Sequence, residues 1–118
     1  MTKPKAAPAD LAAPGRALWR DTVAVYDLSP PEMRLLGEAC RTADELARLR
    51  AVLVDADPMV TGSTGQPRPN PLFDEVRRHR DALAKLIAAL DLPADSEPVT
   101  TSDKARQAAR ARWARRGA

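Results

Sequence analysis

Apolar residues recur at alternating steps of four and three along two separate stretches of this chain. Leu35, Ala39, Thr42, Leu46, Leu49 and Leu53 form one stripe, and Leu72, Val76, His79, Leu83, Leu86 and Leu90 form another. That spacing marks a heptad seam on a helix. Leu36, Cys40, Ala43 and Ala47 widen the first stripe, and Phe73 and Ile87 flank the second; a face broader than a strict seam meets more than one neighbour. Local signals bound both helices. Ser29-Pro30-Pro31-Glu32 offers an N-cap, a first-turn proline and a capping-box glutamate, so the first seam helix runs from Pro30 to about Asp55. Asn70 and Pro71 open the second, which runs to about Leu90, and Pro93 breaks it. Two such helices joined by a loop of about a dozen residues pack antiparallel.

Upstream, Leu18, Trp19, Thr22, Val23, Val25 and Tyr26 stripe a further helix from near Pro14 to about Tyr26. Trp19 reads as its core anchor. In the connecting loop, Val60-Thr61 and a short run around Gln66 pair across Gly62-Ser63-Thr64-Gly65, with Pro67 and Pro69 ending the pairing. The expected fold is all-α: an antiparallel helical hairpin plus an N-terminal helix, a small loop or β-hairpin at the tip, and a basic C-terminal helix or disordered tail. Its parts are a disordered N-terminal arm over residues 1–13, a helical core and oligomerisation domain over 14–92, and a linker with basic tail over 93–118.

Composition limits the core. Of 118 residues, eleven are proline and five glycine, and they gather at the N-terminus, in the loop and after Leu92. Roughly 80 residues remain to fold, a size that is often marginal alone. Trp19, Tyr26, Phe73 and Trp113 are the only aromatics. Trp19, Leu35, Leu46, Leu49, Leu53, Val76, Leu83, Leu86 and Leu90 are therefore the expected core and oligomer residues, with self-association as a natural way to bury more.

Charge divides the chain. Lys104, Arg106, Arg110, Arg112, Arg115 and Arg116 occupy residues 104–118 with no acid, leaving 13 bases against 16 acids elsewhere. A helix there sets Arg106, Arg110 and Trp113 on one face and Arg112 with Arg116 on a neighbouring row. Guanidinium groups so placed neutralise phosphates; a solubilising tail and a protein-docking tail remain open. Arg77, Arg78, Arg80 and Lys85 form a lesser patch, alternating with Asp74, Glu75 and Asp81 as a solvated face does. One cysteine excludes an internal disulfide and fits a reducing compartment. No apolar run approaches the roughly 18 residues that cross a bilayer, so no membrane partner is expected.

Catalytic chemistry finds little support. His79 lies in a packing seam, and Cys40 lies on an apolar face. Asp44/Glu45 and Asp74/Glu75 are sequence neighbours, which do not converge on a helix. The GSTG run lacks the lysine and helix start of a phosphate loop. Asp55 and Asp57 read as solvating a helix end rather than as metal ligands. No enzyme activity, cofactor or metal is expected.

Several elements taken in order resemble a known family. They are Leu18-Trp19 in a first helix, the exit Tyr26-Asp27-Leu28, and Ala39-Cys40 in a proline-initiated helix. A glycine-containing loop then ends in Pro69-Asn70-Pro71-Leu72, and a last helix closes from Leu86 to Pro93. Across Pro14–Pro93 this resembles the small terminase subunits of tailed bacteriophages, specifically the P27 family. The resemblance implies a ring-shaped homo-oligomer that recognises double-stranded phage DNA at the packaging site. It also implies recruitment or regulation of the large terminase subunit, which holds the ATPase and nuclease, in the cytoplasm of the infected bacterial host. On that reading the basic tail supplies phosphate contacts, Lys3, Lys5, Arg16 and Arg20 form a second contact zone, and loop 57–70 touches a neighbour or the large subunit.

Three other readings compete. A small helical DNA-binding transcriptional regulator needs a short turn between short helices, and Ser29–Asp55 is too long for it. A nuclease accessory subunit would work through Asp55 or Asp57. A structural adaptor would use its tail for protein alone.

Overall fold

The computed structural model of the chain describes residues 5–93. Three helices follow in order, α1 (Ala13–Val25), α2 (Pro30–Leu53) and α3 (Pro71–Leu90), with strands β1 (Met59–Thr61) and β2 (Pro67–Pro69) between the last two. The basic residues Lys3, Lys104, Arg106, Arg110, Arg112, Arg115 and Arg116, and the expected tail helix, lie outside the described residues.

The local signals act as their chemistry requires. Ser29 Oγ accepts from the Glu32 N–H at 3.3 Å while the Ser29 N–H donates to Glu32 Oε1 at 2.9 Å, a complete capping box for α2. Asn70 Oδ1 accepts from the Leu72 N–H at 3.0 Å and starts α3. Helix α3 ends at Asp91, which takes the left-handed conformation (φ 52°) and donates its N–H to the Ala88 carbonyl at 3.0 Å.

Helix α2 is the centre of the molecule, packing against α1 on one side and α3 on the other. Leu36 and Cys40, early in α2, share a buried cluster with Leu90 at the end of α3. Glu45 meets His79 further along, so α2 and α3 run antiparallel. Leu11, Trp19 and Leu28 complete that cluster, with Leu18, Val23, Tyr26, Met33, Leu35 and Leu92 packed at its border. The Tyr26 hydroxyl donates to the Pro93 carbonyl and ties the end of α1 to the chain leaving α3. Burying a leucine such as Leu36 contributes about 2 kcal/mol, so this end carries most of the stability.

The expected core divides accordingly. Trp19, Leu46 and Leu90 are buried. Leu35, Leu49, Leu53, Val76, Leu83 and Leu86 are half-buried. Beyond the reach of α1 the shaft is two helices thick, and a two-helix seam keeps one side open. Val52, Met59 and Phe73 stay exposed along that part of the molecule, and Ile87 stays exposed one turn before Leu90 at the other end.

Two expectations are corrected. Residues 5–12, assigned to the disordered arm of residues 1–13, lie packed across the helices. Leu11 is 2 % exposed, Ala7 borders the core, and the Lys5 carbonyl accepts from Trp19 Nε1 at 2.9 Å. The arm reads as polar and proline-rich, but one leucine and its backbone groups suffice to seat it. Pro67 and Pro69 do not end the strand pairing; they belong to β2, opposite Thr61 and Met59. Both occupy positions whose N–H would point away from β1, where proline loses no ladder bond. Gly65 (φ 85°) closes the hairpin, donating its N–H to the Gly62 carbonyl at 3.0 Å.

Candidate partner interface

Helix α1 carries Arg16 and Arg20 of the second zone, with Lys5 on the arm before it, and its placement depends on a side chain from α2. The residue before α1, Ala12, has no side chain able to cap. Asp44 takes that role from 32 positions away: Oδ2 accepts the Ala12 N–H and Oδ1 the Gly15 N–H, both at 2.7 Å. A buried carboxylate at a helix N-terminus satisfies orphan donors and matches the helix dipole. Arg41, one turn earlier on α2, holds Asp10 through two bonds at 2.7 and 3.3 Å and also reaches Glu38 at 3.0 Å. The Arg41 guanidinium holds the exposed Asp10 carboxyl below the ordinary aspartate range. Together these contacts fix the arm and α1 on the α2 surface.

On that frame Lys5, Arg16 and Arg20 line one groove of about 400 Å³, floored by Trp19 and Val23. The structure therefore brings three of the four second-zone cations together around an apolar floor. Arg16 Nη1 donates to the Leu11 carbonyl at 2.6 Å, which orients its guanidinium. Arg20 pairs with Asp21 at 3.1 Å in the open, a contact worth little in water.

On α3, Arg77 pairs with Asp74 at 3.1 Å, while Arg78 reaches Asp74 at 3.1 Å and Glu75 at 3.3 Å. These are ordinary exposed helix-surface pairs. His79 sits between the helices, Nδ1 2.9 Å from the Glu75 carbonyl and Nε2 3.2 Å from Glu45 Oε1 on α2. It is a cross-helix tether within the shaft, in keeping with its seam position.

Cys40 is buried, and burial with the nearby Asp44 charge pushes its thiol up to about 11. It packs as a small hydrophobe. Among the described residues, no three His, Cys, Asp or Glu side chains converge on a metal position, and no helix is long and apolar enough to cross a membrane.

The chain pattern missed Asp44, Leu11 and Leu28. Asp44 and Glu45 read only as sequence neighbours that do not converge, and the structure buries Asp44 while Glu45 is exposed. One available signal was the Ala12-Ala13-Pro14-Gly15 start of α1, which supplies a helix beginning with no capping side chain.

No family model, curated protein or solved structure matches the chain.

Proposed function

We propose that this chain is a phage terminase small subunit: a non-catalytic homo-oligomer that binds viral double-stranded DNA and engages the large terminase subunit in the cytoplasm of the infected host. The observation that carries the reading is the junction at Asn70. The Asn-Pro-Leu run of the resemblance is a working structural joint: Asn70 caps α3 through Leu72, and its N–H closes the β-hairpin on the Pro58 carbonyl at 2.8 Å. Its side-chain amide also donates to the Asp57 carbonyl at 3.0 Å. One residue thus sets the hairpin tip on the helical shaft.

Two further features support the reading. The shaft leaves its distal seam half-buried and Val52, Phe73 and Ile87 exposed, as a subunit that leans on neighbours would. The six bases of residues 104–118 supply phosphate contacts, with Lys5 on the arm and Arg16 and Arg20 on α1 as the second zone. Subunits packing side by side through heterologous contacts close into a ring.

The test is binding of the purified full chain to duplex DNA and to a large terminase subunit, each across a salt series. The proposal expects a DNA complex that weakens steeply with salt and a co-purifying large subunit. Absence of both overturns it.

A further inference from the structure

The β-hairpin at the tip has two edges of opposite character. The Gly62 N–H donates to the Gln66 carbonyl at 2.7 Å and the Asn70 N–H to the Pro58 carbonyl at 2.8 Å. Val60 lies opposite Arg68 between them. Positions 58, 60 and 62 therefore bond inward to 70, 68 and 66. Antiparallel alternation turns the backbone groups of Met59 and Thr61 outward on β1, and those of Pro67 and Pro69 outward on β2. The outer edge of β2 has no N–H to offer, and two pyrrolidine rings stand along it. That is a blocked edge. The outer edge of β1 keeps the Thr61 N–H and the Met59 and Thr61 carbonyls, while the Met59 N–H is held by the exposed Asp57 carboxylate at 3.0 Å.

We propose that the open edge docks a second copy of this chain, β1 pairing antiparallel with β1 of the other copy and Met59 opposite Thr61 on each side of a two-fold axis at Val60. Two observations select this occupant. The edge is self-complementary, since an antiparallel copy brings each Thr61 N–H to a Met59 carbonyl, and each Met59 N–H, released by Asp57, to a Thr61 carbonyl. The assembly is also closed. Each copy contributes one open edge, so pairing gives four strands bordered on both sides by Pro67 and Pro69, and no further strand adds. A two-stranded ribbon alone is marginal in water, and four strands cover the Met59 side chain, 47 % exposed in one chain. The contact is isologous, unlike the heterologous contacts of a ring, and joins molecules tip to tip. It goes beyond the packaging proposal and stands independently of DNA.

Across the two-fold axis the Val60 residues form a non-hydrogen-bonded pair with Cα atoms about 4.5 Å apart, within the range that a disulfide spans. V60C in the full chain, treated with diamide, is expected to yield mainly a disulfide-linked dimer. Cys40, buried and with a raised thiol, stays out of the exchange. S63C, at the hairpin turn, is the register control. T61P in the V60C background removes two intermolecular bonds per dimer and lowers the yield roughly ten-fold. Its backbone tolerates proline there because that N–H has no partner strand. Helical circular dichroism should stay unchanged. Equal cross-linking of V60C and S63C, or an unchanged yield in T61P, overturns the proposal. So does a V60C protein that remains a monomeric thiol, including one whose Thr61 amide gains exchange protection only when a different protein's extended segment is added.

Discussion

Gly15 and Asp44 form a lock between α1 and α2. The Gly15 N–H donates to Asp44 Oδ1 at 2.7 Å, and a Cβ placed on Gly15 would lie 2.7 Å from Oδ2 and 2.8 Å from the Cys40 carbonyl. The carboxylate supplies the cap that Ala12 lacks, and the glycine lets the helix start come close enough to receive it. D44A leaves two donors at the α1 start without their acceptor and should cost about 2–4 kcal/mol in denaturant unfolding. G15A must push α1 off the α2 backbone and should cost about 2 kcal/mol. D44N, isosteric but uncharged, should fall between D44A and the parent. A D44A protein as stable as the parent would remove Asp44 from this role.

The two local caps should separate by what else they hold. S29A removes one half of a capping box and should cost about 1 kcal/mol. N70A loses the α3 cap and also the bond from Asn70 Nδ2 to the Asp57 carbonyl. It should therefore speed amide exchange across β1 and β2, which S29A leaves alone. Hydrogen exchange followed by mass spectrometry reads the difference.

The Cys40 thiol gives a pH signature. Its folded-state value is raised to about 11 from an ordinary value of 9.0, so folding favours the neutral thiol. The associated stability is complete below about pH 9 and is lost as pH rises toward 11. The fall should reach roughly 2–3 kcal/mol, and C40A should flatten it between those limits. Alkylation at neutral pH should require unfolding.

Removing residues 104–118 takes away six of the 19 bases and leaves every described core residue in place. The truncated chain should keep its helical content and its assembly while losing most DNA affinity at low salt. Charge reversal at Arg16 and Arg20 should weaken DNA binding further without unfolding α1, since Arg20 pairs only with the exposed Asp21 and Arg16 makes a hydrogen bond to a backbone carbonyl. Loss of assembly in the truncated chain would place the tail in the subunit contact instead.

Helix positions were legible because their signals are local. Ser29 with Glu32, and Asn70 with Pro71, announce helix starts from neighbouring residues alone. The heptad steps gave the antiparallel shaft for the same reason. Asp44 was not legible: its partners lie 29 and 32 residues away, and a sequence pattern records spacing along one helix, not contact between two. The arm's order is not legible in composition because it rests on Leu11 and on backbone acceptors such as the Lys5 carbonyl. Pro67 and Pro69 look like breakers from the sequence because strand membership depends on which way each N–H points, and only the register with β1 decides that. Grouping of Lys5, Arg16 and Arg20 followed from seating the arm beside α1.

On the proposed function, a shaft so lightly covered along its distal seam works as one copy among several. Native mass spectrometry of the full chain across a concentration series decides the matter. A closed multiple of the 12.8 kDa chain, persisting on dilution and after removal of residues 104–118, is the expected result. A folded 12.8 kDa species at every concentration would contradict the account.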